Sequence, residues 1–71
     1  MVKSKTLTPK AIRILDLVKE GHTDSEIASK LGIATGTVKG DLERIRAKLQ
    51  ARNRVDAVVK GLRGHYIELG G

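Results

Sequence analysis

Residues Thr23–Leu49 read TDSEIASKLGIATGTVKGDLERIRAKL, and this stretch decides the fold. Thr23 is a natural helix N-cap, and Glu26 three residues on completes a capping box. Ile27, Ala28 and Leu31 then make a short inward stripe that Gly32 ends. A helix of about two turns cannot stand alone in water and must lean on neighbours. After Gly32 and Ile33 a second helix starts near Thr35. Its inward positions, Val38, Leu42, Ile45 and Leu49, are spaced as one face of an amphipathic helix. Two helices joined by a tight turn containing glycine form a helix-turn-helix unit. Gly32 supplies the left-handed backbone of the turn, and Ala28 is small where the helices approach.

Working outward, Thr8 caps a preceding helix with Pro9 at its first position. Ile12 and Leu15, joined by Ile14 and Val18, give it an apolar face. Lys19 suits its last turn, and Gly21 closes it. On the other side Arg52 and Asn53 break the pattern, and Asn53 caps a last helix. There Val55, Ala57, Val58, Val59, Gly61 and Leu62 cover roughly 200° of the wheel, about twice the arc that one core contact needs. Ile67 and Leu69 in the tail are expected to cover part of it. The edge carrying Val55, Val59 and Leu62 is expected to meet a second copy. The expected fold is all-α, a compact four-helix domain with helices at about 9–20, 24–31, 35–49 and 54–63. A basic N-terminal arm (1–6) precedes the domain (7–67), and a short tail (68–71) follows it.

The whole chain has 71 residues, with 14 Lys and Arg against 8 Asp and Glu, for a net charge of +6. One domain of this size buries only ~60% of its unfolded surface. The apolar residues are almost all Leu, Ile, Val and Ala; Tyr66 is the sole aromatic, and cysteine is absent. Disulfides and thiolate metal sites are therefore excluded. No apolar run approaches the ~20 residues of a membrane span, and the start lacks the apolar stretch of a secretory signal. A cytoplasmic protein without membrane contact is expected. The positive field attracts polyanions, and the placement of the charges decides between nucleic acid and mere solubility.

With Val38 taken as inward, the outward strip of the 35–49 helix carries Gly36, Gly40, Glu43 and Ala47. Lys39 and Arg46 flank it on one side, and Thr37, Arg44 and Lys48 on the other. Marginal cations reach phosphates on both walls of a groove. The small residues let the backbone approach base edges, where Glu43 can accept from a cytosine amino group. The alternative for Glu43 is a pairing with Lys39 or with the solvated neighbours of Ala47. Arg52 and Arg54 are further phosphate candidates, Arg54 being equally suited to anchor the last helix. Gly36 and Gly40 should make the start of the helix fray.

Leu7-Thr8-Pro9, Glu26-Ile27-Ala28, Leu31-Gly32-Ile33, Thr37-Val38-Lys39, Leu49, and Arg52-Asn53-Arg54-Val55 with Ala57-Val58 fall in one register. This string resembles the LuxR-type (GerE-like) helix-turn-helix domain of bacterial transcription regulators, over about Leu7–Ile67. The resemblance implies a third helix that reads the major groove of double-stranded DNA, dimerisation through the fourth, Lys39 at a base and Thr37 at a phosphate. RNA polymerase is a further partner on this reading, which places the protein at the nucleoid when bound. The chain departs from the family at Ala11, where a Glu is usual, at Ala34, where a capping Ser is usual so that Thr35 is expected to take over the cap, and at Gly36, Gly40 and Glu43. The expected DNA contacts are Thr23, Thr35, Thr37, Lys39, Gly40, Glu43, Arg44, Arg46, Lys48 and Arg54. The competing reading is a protein-interaction module that pairs with a larger relative through the last helix. Nothing in the chain points to catalysis, a cofactor or a metal. His22, read as a solvated loop residue, and His65 are far apart, with no Asp, Glu or Cys cluster at ligand spacing.

Overall fold

A computed structural model describes residues 7–69, so the basic arm at 1–6 lies outside the described residues. The chain folds as α1 (Pro9–Lys19), α2 (Asp24–Leu31), α3 (Thr35–Leu49) and α4 (Arg54–Arg63), with no strand among the described residues. The helix starts follow from local chemistry. Thr8 Oγ1 accepts from Ala11 N at 3.1 Å with Pro9 behind it. Thr23 and Glu26 exchange both bonds of the capping box, at 3.1 and 2.9 Å. Asn53 Oδ1 accepts from Asp56 N at 2.8 Å. α1 ends at Lys19, one residue short of expectation, because Glu20 takes ψ 1° and Gly21 then turns at φ +91°. Gly32, at φ +69°, caps α2 and opens the tight turn.

The start of α3 corrects the capping expectation. Ala34 has the extended N-cap backbone, and no side chain caps the helix; Thr35 is already its first helical residue. An N-cap must keep a non-helical backbone for its oxygen to reach the free N–H groups, and Thr35 does not.

Ile14, Leu15, Ile27, Val38 and Ile45 are the largest fully buried side chains, and Leu7, Leu17, Val18, Ala28, Leu42, Ala57 and Ile67 complete the core. α1 touches all three other helices. It is therefore buried over a wide arc, with Leu17 inside and Ile12 only half-buried, the reverse of what a single apolar face predicted. Leu49 is likewise half-buried.

On α4, Ala57 and Gly61 face the core and Val58 and Leu62 pack against it, whereas Val55 is 72% and Val59 37% exposed. The tail turns back through His65, at φ +62°, and the Tyr66 N–H reaches Gly61 O at 2.9 Å. Ile67 packs at the α1–α4 contact as expected, beside Leu15 and Gly61, while Leu69 stays exposed. Lys19 Nζ, held by Asp16, donates to Glu68 O and fastens the tail to α1.

Candidate nucleic-acid interface

α3 presents its polar side away from the core because Val38, Leu42 and Ile45 anchor the other. Thr35, Gly36, Thr37, Lys39, Glu43, Arg44, Ala47 and Lys48 are exposed, and Gly40 and Arg46 half-buried. At ~100° per residue this leaves a central strip of Gly36, Gly40, Glu43 and Ala47 between two charged shoulders. A Cβ built on Gly36 would meet nothing within 4 Å, and one on Gly40 only Arg44 Nη1 at 3.7 Å. The fold does not require either glycine.

Thr23, Thr35, Lys39 and Arg54 line one continuous groove, in which α2, α3 and α4 meet over Val55 and Val58. Lys39 and Arg54 also border a neighbouring notch with Glu43 and Arg46. Arg54 fills the anchoring role open to it: Nη1 lies 2.7 Å from Asp24 Oδ1 and Nη2 donates to His22 O at 3.3 Å, binding α4 to the start of α2. His22 is correspondingly half-buried, not solvated, with its ring nitrogens 3.7 Å from Glu20 and 3.5 Å from Glu26. The Thr23 N–H holds the Glu26 carboxyl below its ordinary value against an opposing effect of burial, and His22 lowers it further.

Arg44 and Lys48 occupy the opposite shoulder, with Lys10 of α1 and its N-cap Thr8 beside them. Of its two alternatives Glu43 takes the neighbour of Ala47, pairing with Arg46 Nη1 at 3.8 Å and not with Lys39. A contact so long and exposed contributes little, which leaves the carboxylate available. Arg46 also donates to Arg52 O at 3.3 Å across the α3–α4 turn. In that turn Gln50 is left-handed at φ +56°, and Lys60 Nζ donates to its carbonyl at 2.7 Å. Asp56 Oδ2 accepts from Arg52 N at 2.9 Å and lies 3.2 Å from Lys60 Nζ. The Arg52 N–H first, and Lys60 second, hold the Asp56 carboxyl below its ordinary value.

The sequence reading missed Lys10, Asp24 and Asp41, whose partners lie on other helices. No group of three or more His, Cys, Asp or Glu among the described residues is placed to hold a metal ion. No described helix is long and apolar enough to cross a membrane.

Residues 5–60 match the family described as bacterial regulatory proteins, luxR family (GerE). The chain belongs to that family. The LuxR-family match covers the whole helix-turn-helix and most of α4. The chain is similar to the transcriptional regulatory protein DesR of Bacillus subtilis, 34% identical over 58 residues, covering 82% of this chain and 29% of DesR. It is similar to the transcriptional regulatory protein LiaR of the same species, 36% identical over 63 residues, covering 89% of this chain and 30% of LiaR. The HTH-type transcriptional regulator AlkS of Alcanivorax borkumensis is 45% identical over 60 residues, which are 83% of this chain and 7% of AlkS. The chain thus spans less than a third of the length of these regulators.

Proposed function

We propose that this LuxR-family domain binds double-stranded DNA in a sequence-dependent way and regulates transcription, with α3 in the major groove. The observation that carries the reading is the outward face of α3: a strip of small residues, sterically open at Gly36 and Gly40, between cationic shoulders. A groove has this shape and charge in reverse, with recessed base edges between two phosphate walls. Lys39 beside the strip and Glu43 within it reach base edges, while the Gly40 backbone approaches them closely. Thr23, Thr35, Thr37, Arg44, Arg46, Lys48 and Arg54 take phosphates, Arg54 while still tied to Asp24. On this reading the protein works at the nucleoid, in the cytoplasm.

Two copies pair on the DNA through the exposed edge of α4. Val55 and Val59 carry that contact, since Leu62 is largely taken up by its own core. The competing view, a module that pairs with a larger relative through this edge and binds no DNA, predicts a partner complex without duplex binding.

Selection from a random duplex pool, followed by titration at two salt concentrations, tests the proposal. Affinity should fall steeply with salt. Lys39→Ala should weaken the selected site by about 1–3 kcal/mol and random duplex by less. Binding that ignores salt, or no enrichment of any sequence, would overturn the reading.

A further inference from the structure

The Arg44–Lys48 shoulder does not end with α3. Lys10, in the first turn of α1, brings Nζ to 3.1 Å from Asp41 Oδ2, and Arg44 Nη2 lies 3.5 Å from Asp41 Oδ1. Lys48 and Thr8 border the same notch between the two helices. The side chains of Lys10 and Arg44 are 50% and 70% exposed, but that of Asp41 only 17%. Two solvent-open cations thus grip one recessed carboxylate, and a third exposed cation, Lys48, lines the same notch. Arg44 is steadied from a second direction, Nη1 donating to Gly40 O at 3.3 Å.

A carboxylate gripped by lysine and arginine offers those cations what a phosphate oxygen offers them at a backbone contact. We propose that Lys10, Arg44 and Lys48 form a DNA-phosphate site spanning α1 and α3, and that Asp41 is its internal occupant, holding down affinity for duplex of any sequence. The inference rests on the placement of α3 against DNA proposed above and adds α1 to the contact surface. A negative charge a few ångströms from an incoming phosphate subtracts from the attraction of its neighbours. Because backbone phosphates are the same at every sequence, the subtraction applies to all DNA alike. It limits how much protein the bulk of the chromosome can hold, and leaves base reading to the central strip.

The test is a cycle of Asp41→Asn, Lys10→Met and the double variant, each confirmed helical by circular dichroism. Each is titrated with a labelled random-sequence duplex over a range of salt. Asp41→Asn should bind about three- to tenfold tighter at low salt. Its salt slope should steepen by about 0.9, the signature of one more neutralised phosphate. Lys10→Met should weaken binding by a similar factor, and the double variant should return to within about twofold of wild type, the two charges offsetting each other. Asp41→Asn binding no tighter than wild type, or a double variant still bound well over twofold tighter than wild type, would overturn the proposal while wild-type binding stands. Wild-type protein that binds no duplex at any salt would instead overturn the DNA reading, and this inference with it.

Discussion

Replacing Gly36 and Gly40 with alanine sets the stability of α3 against its use. A Cβ at Gly36 has open space, a Cβ at Gly40 makes only an ordinary contact with Arg44, and neither glycine has a positive φ. Alanine therefore meets no steric penalty, and the helix gains backbone order. An interior glycine costs about 1 kcal/mol relative to alanine. Gly36 lies in the first turn and should return less, so the pair should stabilise the domain by about 1–2 kcal/mol. At about 4–8 °C per kcal/mol for a domain this small, Tm should rise by roughly 5–15 °C, read by thermal circular dichroism. Native-state hydrogen exchange should show residues 36–40 exchanging faster than 42–49 in wild type, with the difference shrinking in the variant. The same two methyl groups straddle the centre of the outward strip, where the backbone is proposed to approach base edges. Affinity for a selected site should fall about tenfold, equivalent to about 1.4 kcal/mol. No gain in Tm would refute the assignment of the glycines as dispensable to the fold. A gain in Tm with unchanged DNA binding would refute the close approach.

Gln50 occupies left-handed backbone at the end of α3, so Gln50→Gly should stabilise by about 1 kcal/mol, measured by urea unfolding. At Gly61 an added Cβ would sit 2.6 Å from Leu15 Cδ2, and Leu15 is fully buried; Gly61→Val should destabilise by about 2 kcal/mol in the same assay. The carboxyls of Glu26 and Asp56 are held below their ordinary values of 4.5 and 3.8. Their contribution to stability is complete above those values and is lost as pH falls through the lower folded ones. The urea midpoint should therefore drop below about pH 4.5, less steeply in Glu26→Gln; an identical acid profile would remove Glu26 as a source.

What the sequence made legible is what short-range chemistry controls. Thr8, Thr23 and Asn53 cap helices within a few residues of themselves, so three starts could be read directly. The start of α3 has no such signal, because Ala34 has no oxygen to offer. The burial of Leu17 was illegible for a different reason: one-face periodicity assumes one neighbour, and α1 has three. The charges of α3 could be placed on its wheel, but not their partners. Asp41 meets Lys10, and Arg54 meets Asp24, only after helices distant in sequence have packed. Even Glu43, which had candidates on its own helix, turned toward Arg46, itself drawn to the Arg52 carbonyl.

The α3–α4 turn has a consequence for DNA architecture. Lys60 and Arg46 each clasp a carbonyl of the turn, and Asp56 clasps an N–H, from both flanking helices. The helix proposed to meet bases and the helix proposed to meet a second copy are thus locked at one angle, like the arms of a set square. For copies joined through Val55 and Val59, the separation of their reading helices is then a constant of the protein. The spacing of half-sites along the operator would be measured out by this four-residue corner, and a duplex with the right bases at the wrong spacing would have to twist to be read.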